Sequence, residues 1–592
     1  MRLFYFRCES YRTMSLATQK MPVVKVVDSR LSFPEWAVPV REGGNVVSYL
    51  SANATSKGAQ VSFSLNPPNP GGSVLARDIL IYNKLTFTVA GAEIAGVPLV
   101  NIGSTDAPRA YPWSSCIDNI SLNLNNETIS VGNWSDIGHV MRRFNPRASL
   151  YKKMNICPWF PDQSAVYQDL VGSNRNPLAS GTVGDYDYLR GAYARCYTTG
   201  AVTTTAATIV LETVEPLTLA PFLPGSTAPG IPFVQTLNLD FTCSNYARAL
   251  SRALGYPVGG ADTPLANFTS ISAVHNDSRI FYQSIALPLT EEAVPREVSL
   301  PHYRLATNTA APISITSAVP TLNGTIPPGT NMQSPVIIYP SVPSRIYVFA
   351  QPTASSKNVG TPDYTAMYCG QLQVMWNSRT ALMTSTTREE LYQQAVDAGY
   401  AGPWESWQGF FRKSGTTAIG SSGSILCIRP GIDFDLEAGT VVGQAGSYQF
   451  QVSANFQDQS GLGAGGQAPF VLYVVAVLNG VLTINAGYEA HQVFGAVTQA
   501  DVLAAKSRVS SEEVYDTFGS GFFDNLKGMI TRAVPFLQKG ARAAHAGLSA
   551  AKDAGLLGSA AFSGGDIPSM YGGSAMSGGA RLSKRDLSAR LR

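Results

Sequence analysis

The sequence predicts an all-β protein made of two antiparallel β-sandwiches, and three observations carry that prediction. Charged residues are only 14% of the chain and apolar ones 45%, with 54 Gly and 37 Pro, the make-up of turn-rich sheets whose surfaces are heavily used in contact. A chain of 592 residues is too long for one hydrophobic core, so two large domains or three smaller ones are expected. Segments of two-residue period dominate, and few windows longer than about ten residues repeat at helical spacing.

The stretch from Ser424 to Ile484 shows the pattern best. Tyr448, Phe450, Val452 and, after an irregular step, Phe456 alternate with Gln and Ser as in a half-buried strand. Phe470 to Leu478 is a continuous apolar run closed by Asn479-Gly480, a dipeptide that supplies positive φ and predicts a hairpin turn before Val481 to Ile484. Earlier, Val61, Phe63 and Leu65 alternate up to the Asn66-Pro67-Pro68 break, and Ile79, Ile81, Leu85, Phe87 and Val89 restart the pattern. Further strands are expected at Ile120 to Leu124, Ala207 to Val214, Thr236 to Thr242, Arg279 to Leu287, Arg345 to Phe349 and Gln371 to Trp376. Glu291 to Pro301, with the Thr/Ala/Pro/Gly-rich residues 305–335, reads as linker and sets a boundary near residue 295.

Two short helices are expected. Ser135 is a plausible N-cap with Asp136 in the first turn and Ile137, Val140, Met141 and Phe144 on one face. Thr387-Arg-Glu-Glu390 is a capping box that starts a helix carrying Leu391, Tyr392, Ala395 and Val396. Shifted by 252 residues, Ile120, Leu122, Leu124 and Asn125 fall on Leu372, Val374, Trp376 and Asn377, and Ser135 falls on Thr387. Strand, turn, short strand and capped helix recur in one order, which implies an internal duplication. The organisation is therefore a basic arm (1–27), a first sandwich (28–295), a second (296–500) and a tail (501–592), with Met14 an alternative start.

Charge is distributed unevenly. Residues 1–30 carry six Lys/Arg against two acids and 505–592 carry twelve against seven, whereas the body between them has net charge −6. Basic ends suit contact with nucleic acid or ordinary solvation. In the tail, Ser510-Ser-Glu-Glu513 is a second capping box, and Phe522, Phe523, Leu526, Met529 and Ile530 form an apolar stripe that suits docking on a protein surface or an amphipathic contact with membrane. The last thirty residues are Gly/Ser-rich and basic.

Catalytic chemistry has little support. His139, His275, His302, His491 and His545 lie far apart in no metal-binding spacing, and are expected on loops or helix surfaces. Gly461 to Gly466 fits a dinucleotide fingerprint only formally, because a strand and not a helix follows it. Asp433 and Asp435 are expected as a solvated strand-edge pair in preference to a carboxylate pair for glycoside chemistry or a Ca²⁺ site. Cys8, Cys116, Cys157, Cys196, Cys243, Cys369 and Cys427 are odd in number and scattered, which fits reduced, buried thiols. The N-terminal apolar run is too short for a signal peptide, and no stretch has membrane-spanning length. No enzyme activity, cofactor or metal is expected. A secreted or surface glycan-binding β-sandwich and a β-rich glycosidase are the alternatives.

Together the motifs resemble the major capsid proteins of virophages and Polinton-like viruses, in the double jelly-roll lineage of the adenovirus hexon. The residues that carry the resemblance are Asp28-Ser-Arg-Leu31 with Gly43-Gly44, Asn66-Pro67-Pro68, Arg109-Ala-Tyr-Pro112, Pro343-Ser-Arg-Ile-Tyr-Val-Phe349, Tyr400-Ala-Gly-Pro-Trp404, the Ser424 to Ile484 block and Gly519-Ser-Gly-Phe-Phe523. The resemblance implies two tandem eight-stranded jelly rolls and a homotrimer that forms a pseudo-hexameric capsomer of an icosahedral DNA-virus shell. Its implied partners are neighbouring capsomers, penton and minor capsid proteins and, weakly through the basic termini, the genome; its implied place is the virion, assembled inside the host cell. Some relatives encode a maturation protease that favours Met/Ile/Leu-x-Gly-Gly, and Met570-Tyr-Gly-Gly573 and Met576-Ser-Gly-Gly579 fit, which makes Gly573 and Gly579 candidate cleavage positions.

Overall fold

The computed structural model describes residues 47–144, 195–315 and 328–494, with short interruptions, and the strand pair Val23–Val27 and Glu35–Pro39. In the first half the period-two segments become β1 (Val47–Asn53), β2 (Gln60–Leu65), β3 (Leu80–Gly91), β4 (Ile117–Leu124), β5 (Glu127–Val131), β6 (Ala206–Pro216), β7 (Leu237–Cys243) and β8 (Phe268–Ala286). They pair antiparallel as two sheets, β1-β8-β3-β6 and β2-β7-β4-β5. Apart from the β4–β5 hairpin, consecutive strands thus alternate between layers, the weave of a jelly roll, and the inward rows pack as one core. Val61, Phe63 and Leu65 on β2 and Leu237, Leu239 and Phe241 on β7 are all buried. Each such side chain stabilises the sandwich by roughly 1.5–3 kcal/mol relative to exposure.

The second half repeats the weave. β9 (Glu297–Thr309), β11 (Arg345–Pro352), β14 (Leu426–Ile428) and β16 (Pro469–Asn485) form one sheet, in the order β9-β16-β11-β14. β10 (Ile337–Ser341), β12 (Met367–Trp376), β13 (Arg379–Leu382) and β15 (Ala445–Gln457) form the other, in the order β10-β15-β12-β13. Strand for strand, the first eight correspond to the second eight, with shorter strands added at the edges. The duplicated turn is a tie as well as a corner. Asn125 and Asn377 both adopt left-handed backbone, at φ 55° and 52°. The Asn125 Oδ1 accepts the Gln235 N–H at 2.8 Å, beside β7, and the Asn377 Oδ1 accepts the Gln449 N–H of β15 at 2.9 Å. Each hairpin is thereby pinned to its neighbour strand by a residue type that tolerates positive φ.

Three helices matter below: α1 (Trp134–Arg143), α2 (Arg388–Asp397) and α3 (Trp404–Trp407). The capping box of α2 is present, with Thr387 accepting from the Glu390 N–H and Glu390 accepting from the Thr387 N–H. Three expectations are corrected. Asn133 precedes α1 and Ser135 lies inside it, because left-handed Asn133 turns the chain into the helix two residues earlier, without a side-chain cap. The described part of the expected linker at Glu291 to Pro301 and 305–335 is largely strand: β9 pairs with β16 from Glu297↔Asn485 to Thr309↔Tyr473. Asn479-Gly480 is no hairpin but the middle of the unbroken β16, where a Cβ on Gly480 would stand 2.5 Å from the Phe494 ring. Glycine is there for close approach, and the turn comes later, at Ala486–Tyr488 with Tyr488 at φ 64°.

Candidate functional site, the seam between the sandwiches

The side chains that converge most closely lie where the two sandwiches meet, and α1 is the wedge. Trp134, Asp136, Ile137, Gly138, His139, Val140 and Arg143 are buried, which covers nearly the whole circumference of the helix. One side is held by the first sandwich. Trp134 Nε1 and Arg142 Nη1 donate to Ser114 Oγ at 3.0 and 3.1 Å, and the Arg142 guanidinium lies 4.3 Å over the Tyr111 ring. Beneath them Glu215, on β6, accepts the Trp113 and Ser114 N–H groups at 2.7 and 2.9 Å. Burial pushes the Glu215 carboxyl up to about 7.

The other side is held by the outer face of the β11–β16 sheet. Tyr473 O–H donates to Asp136 Oδ2 at 2.7 Å, and Gln351 Nε2 donates to the Asp136 carbonyl at 3.2 Å. Burial and then the Asp136 charge push the Tyr473 phenol well up, so it stays a donor. The His139 ring stands edge-on to Phe349 at 6.5 Å, and Phe349 is stacked on Tyr473 at 5.4 Å. Phe144, just past α1, sits 4.7 Å from Tyr347 and 5.4 Å from Tyr400. Ala401 N–H closes the contact on the Arg143 carbonyl at 3.0 Å.

This cover explains the apolar run in the sequence. Every residue of β11 is buried, as is every residue from Phe470 to Leu478, because one face of these strands fills the second core and the other meets α1. From Asn479 onward, past the cover, in-out alternation resumes. Part of the run is therefore interface as well as core, with Tyr473 as its contact to α1. A second tie runs through Gln492, on the strand Ala490–Phe494 beside β16. Its Nε2 donates to Glu127 Oε1 at 2.7 Å and to the Thr128 carbonyl at 3.0 Å, while its Oε1 lies 3.1 Å from His302 Nε2.

The candidate catalytic residues do not assemble. His139, His275 and His302 are buried and not on loops or surfaces, since each faces inward from a helix or strand; burial lowers His275 and His302 to about 4. Asp433 is no solvated edge residue: its side chain is 3% exposed and is held by Arg429 Nη2 at 2.9 Å and Nε at 3.2 Å, while Asp435 is exposed. Cys116, Cys196, Cys243 and Cys427 are buried free thiols, and Cys369 is half-buried and free. Among the described residues no group of His, Cys, Asp and Glu could hold a metal, and no helix is long and apolar enough to cross a membrane. Gly461 to Gly466, His545, the Ser510 capping box, Phe522, Phe523, Leu526, Met529, Ile530, Gly573 and Gly579 lie outside the described residues.

Comparison with known proteins gives this seam its setting. Residues 21–254 match the family model described as Sputnik virophage major capsid protein 1st domain, and residues 313–480 match Major capsid protein V20 C-terminal domain. The chain is a homologue of the virophage major capsid proteins, and its two halves match their domain models separately. The capsid protein V20 of the Sputnik virophage is 26% identical over 550 residues, which is 87% of each chain. A chain of the Sputnik virophage particle shares the fold with a TM-score of 0.68 at 24% identity, covering 85% of this chain and 99% of that one. The mavirus major capsid protein shares it with a TM-score of 0.60 at 14% identity, covering 83% of this chain and 99% of that one. The architecture is the double jelly roll, and this capsid protein is structural and not an enzyme. Sequence reasoning missed Asp136, Gln351 and Tyr473 as seam residues. The available signal was the lack of alternation in Phe470 to Leu478, the mark of a strand covered on both faces.

Proposed function

We propose that this capsid protein forms homotrimers that act as pseudo-hexameric capsomers, and that these tile an icosahedral shell together with neighbouring capsomers, penton and minor capsid proteins. The seam carries the reading. A helix buried on both sides fixes two similar sandwiches as one body, so three chains supply six similar edges and one gene product can occupy hexagonal positions. The division near residue 295 belongs to the same reading, since β8 ends at Ala286 and β9 begins at Glu297. Sedimentation and negative-stain microscopy of the purified chain test it. Compact trimers of hexagonal outline, or shells, are expected; a monomer that binds oligosaccharide overturns it.

The tail has a role of its own in this scheme. The protein is trimmed after Gly573 or Gly579 during maturation, and the Phe522 to Ile530 stripe contacts the inner shell or a membrane while the basic ends face the genome. The Met-x-Gly-Gly repeats and the end charges support this. Intact mass of protein from purified particles checks it, and particles that retain Arg592 throughout would sink the cleavage.

A further inference from the structure

The two sandwiches differ on the outer faces of a pair of equivalent sheets. On β2-β7-β4-β5 the outward rows are short and polar, with Ser62 and Ser64 on β2, Asn238 and Asp240 on β7, and Ser121 and Asn123 on β4. On β10-β15-β12-β13 they are amides and apolar side chains. Gln449 and Gln451 alternate along β15 with buried Tyr448, Phe450 and Val452, and on β12 Gln373 and Met375 stand opposite Ser453 and Gln451. At the sheet edge Val336 and Ile338 flank buried Ile337 and are 51% and 63% exposed. None of these second-sandwich side chains is charged. Beside them an open groove of about 510 Å³ lies between residues 309–311 and residues 333–335. Pro335 and Pro340 remove two backbone donors from the edge, which leaves side chains, and not an added strand, to make a contact there.

We infer that this face joins one capsomer to the next: it packs on the same face of a second copy of this chain about a two-fold axis, and each copy's Ile338 seats in the other's groove. This rests on the shell reading and names one contact within it. A two-fold contact sets a face against its own copy, so a charged face repels itself and an uncharged one does not. Glutamine suits such a face further, because one side chain carries both donors and an acceptor and can bond its own kind. Knob and groove lie a few residues apart along one edge, so a single two-fold fills both grooves at once. Cover of Val336 and Ile338 supplies the apolar gain. The corresponding rows of the first sandwich have no large apolar side chain to offer and hold Asp240, which its own copy would repel.

Analytical ultracentrifugation of the full chain over a concentration series tests the assignment. Wild-type trimers are expected to pair as concentration rises. Ile338→Lys drives a cation into an uncharged groove, and Gln333→Glu sets an anion at the groove's rim. Each is expected to raise the concentration at which trimers pair by about tenfold or more. The trimer itself and the circular dichroism melt should not change, because both side chains are exposed within one chain. Combined in one chain, the two substitutions set opposite charges together in both halves of the contact and restore pairing. Variant trimers that pair as the wild type does, a combination no better than the weaker single variant, or wild-type trimers that stay single overturn this surface and leave the trimer standing. A monomeric wild type overturns the shell reading with it.

Discussion

Helices α1 and α2 stand at the same point of two copies of one fold, and they differ in what lies on their second side. α1 lies between two sheets, with its polar groups Asp136 and Arg143 bonded into the facing sandwich. α2 lies on its own sandwich, anchored by Leu391 below and by Arg345 Nη1 donating to the Ala398 carbonyl at 2.9 Å at its end. The difference teaches that a strand pattern specifies a sandwich, while the burial of a helix on it depends on what arrives from elsewhere in the chain. Substitutions at equivalent places therefore have unequal effects. The largest is expected from Phe144→Ala, which empties the aromatic contact with Tyr347 and Tyr400 and costs about 4 kcal/mol. Denaturant unfolding measures it; a loss below about 1 kcal/mol would mean that the seam is loosely packed.

The next effect separates the anchors of α1 by pH. Glu215 has a carboxyl raised to about 7 by burial, so the folded state holds that proton at a pH where the unfolded chain has lost it. Its contribution favours folding below the unfolded value of 4.5 and is lost as pH rises toward 7, a span worth on the order of 3 kcal/mol. His275 and His302 act in the opposite sense: lowered to about 4, they favour folding above 6.5 and withdraw that support as pH falls. Comparing wild type with Glu215→Gln removes the histidines from the account. The stability of the wild type relative to the variant should rise from pH 8 to pH 5, and parallel curves would contradict the role given to Glu215. A smaller loss, about 2 kcal/mol, is expected for Tyr473→Phe, which removes the Tyr473 hydrogen bond to buried Asp136 Oδ2. Thermal melts beside Tyr392→Phe, whose O–H bonds the Gly402 carbonyl on the half-covered α2 side, read the contrast.

How much of this was legible depended on the faces involved. β2, β3, β4 and β7 could be read because one face meets a core and the other water or short polar side chains, which writes alternation into the sequence. β16 could be read as strand but not as interface. Its continuous run is what burial on both faces produces, and it is also what an ordinary core strand in a sandwich can show. Asn479-Gly480 misled because turn chemistry and close approach both select Gly; only the Phe494 ring, brought in by the strand Ala490–Phe494, tells them apart. Asp136 looked like a first-turn acid of an amphipathic helix, and nothing near it in sequence announces Tyr473, 337 residues away.

The capping box of α2 gives the smallest effect and the sharpest control. Thr387 and Glu390 satisfy each other's backbone N–H groups at an exposed helix start, so the bond has little burial to amplify it. Thr387→Ala should cost about 1 kcal/mol. At α1 the corresponding entry is left-handed Asn133, which makes no side-chain cap, and the helix is held by packing on both sides. Asn133→Gly, which keeps the left-handed backbone and removes an uncapping side chain, should therefore change stability by no more than a few tenths of a kcal/mol. If Asn133→Gly proves as costly as Thr387→Ala, then α1 depends on its own start after all, and the contrast between a wedged helix and a capped one fails.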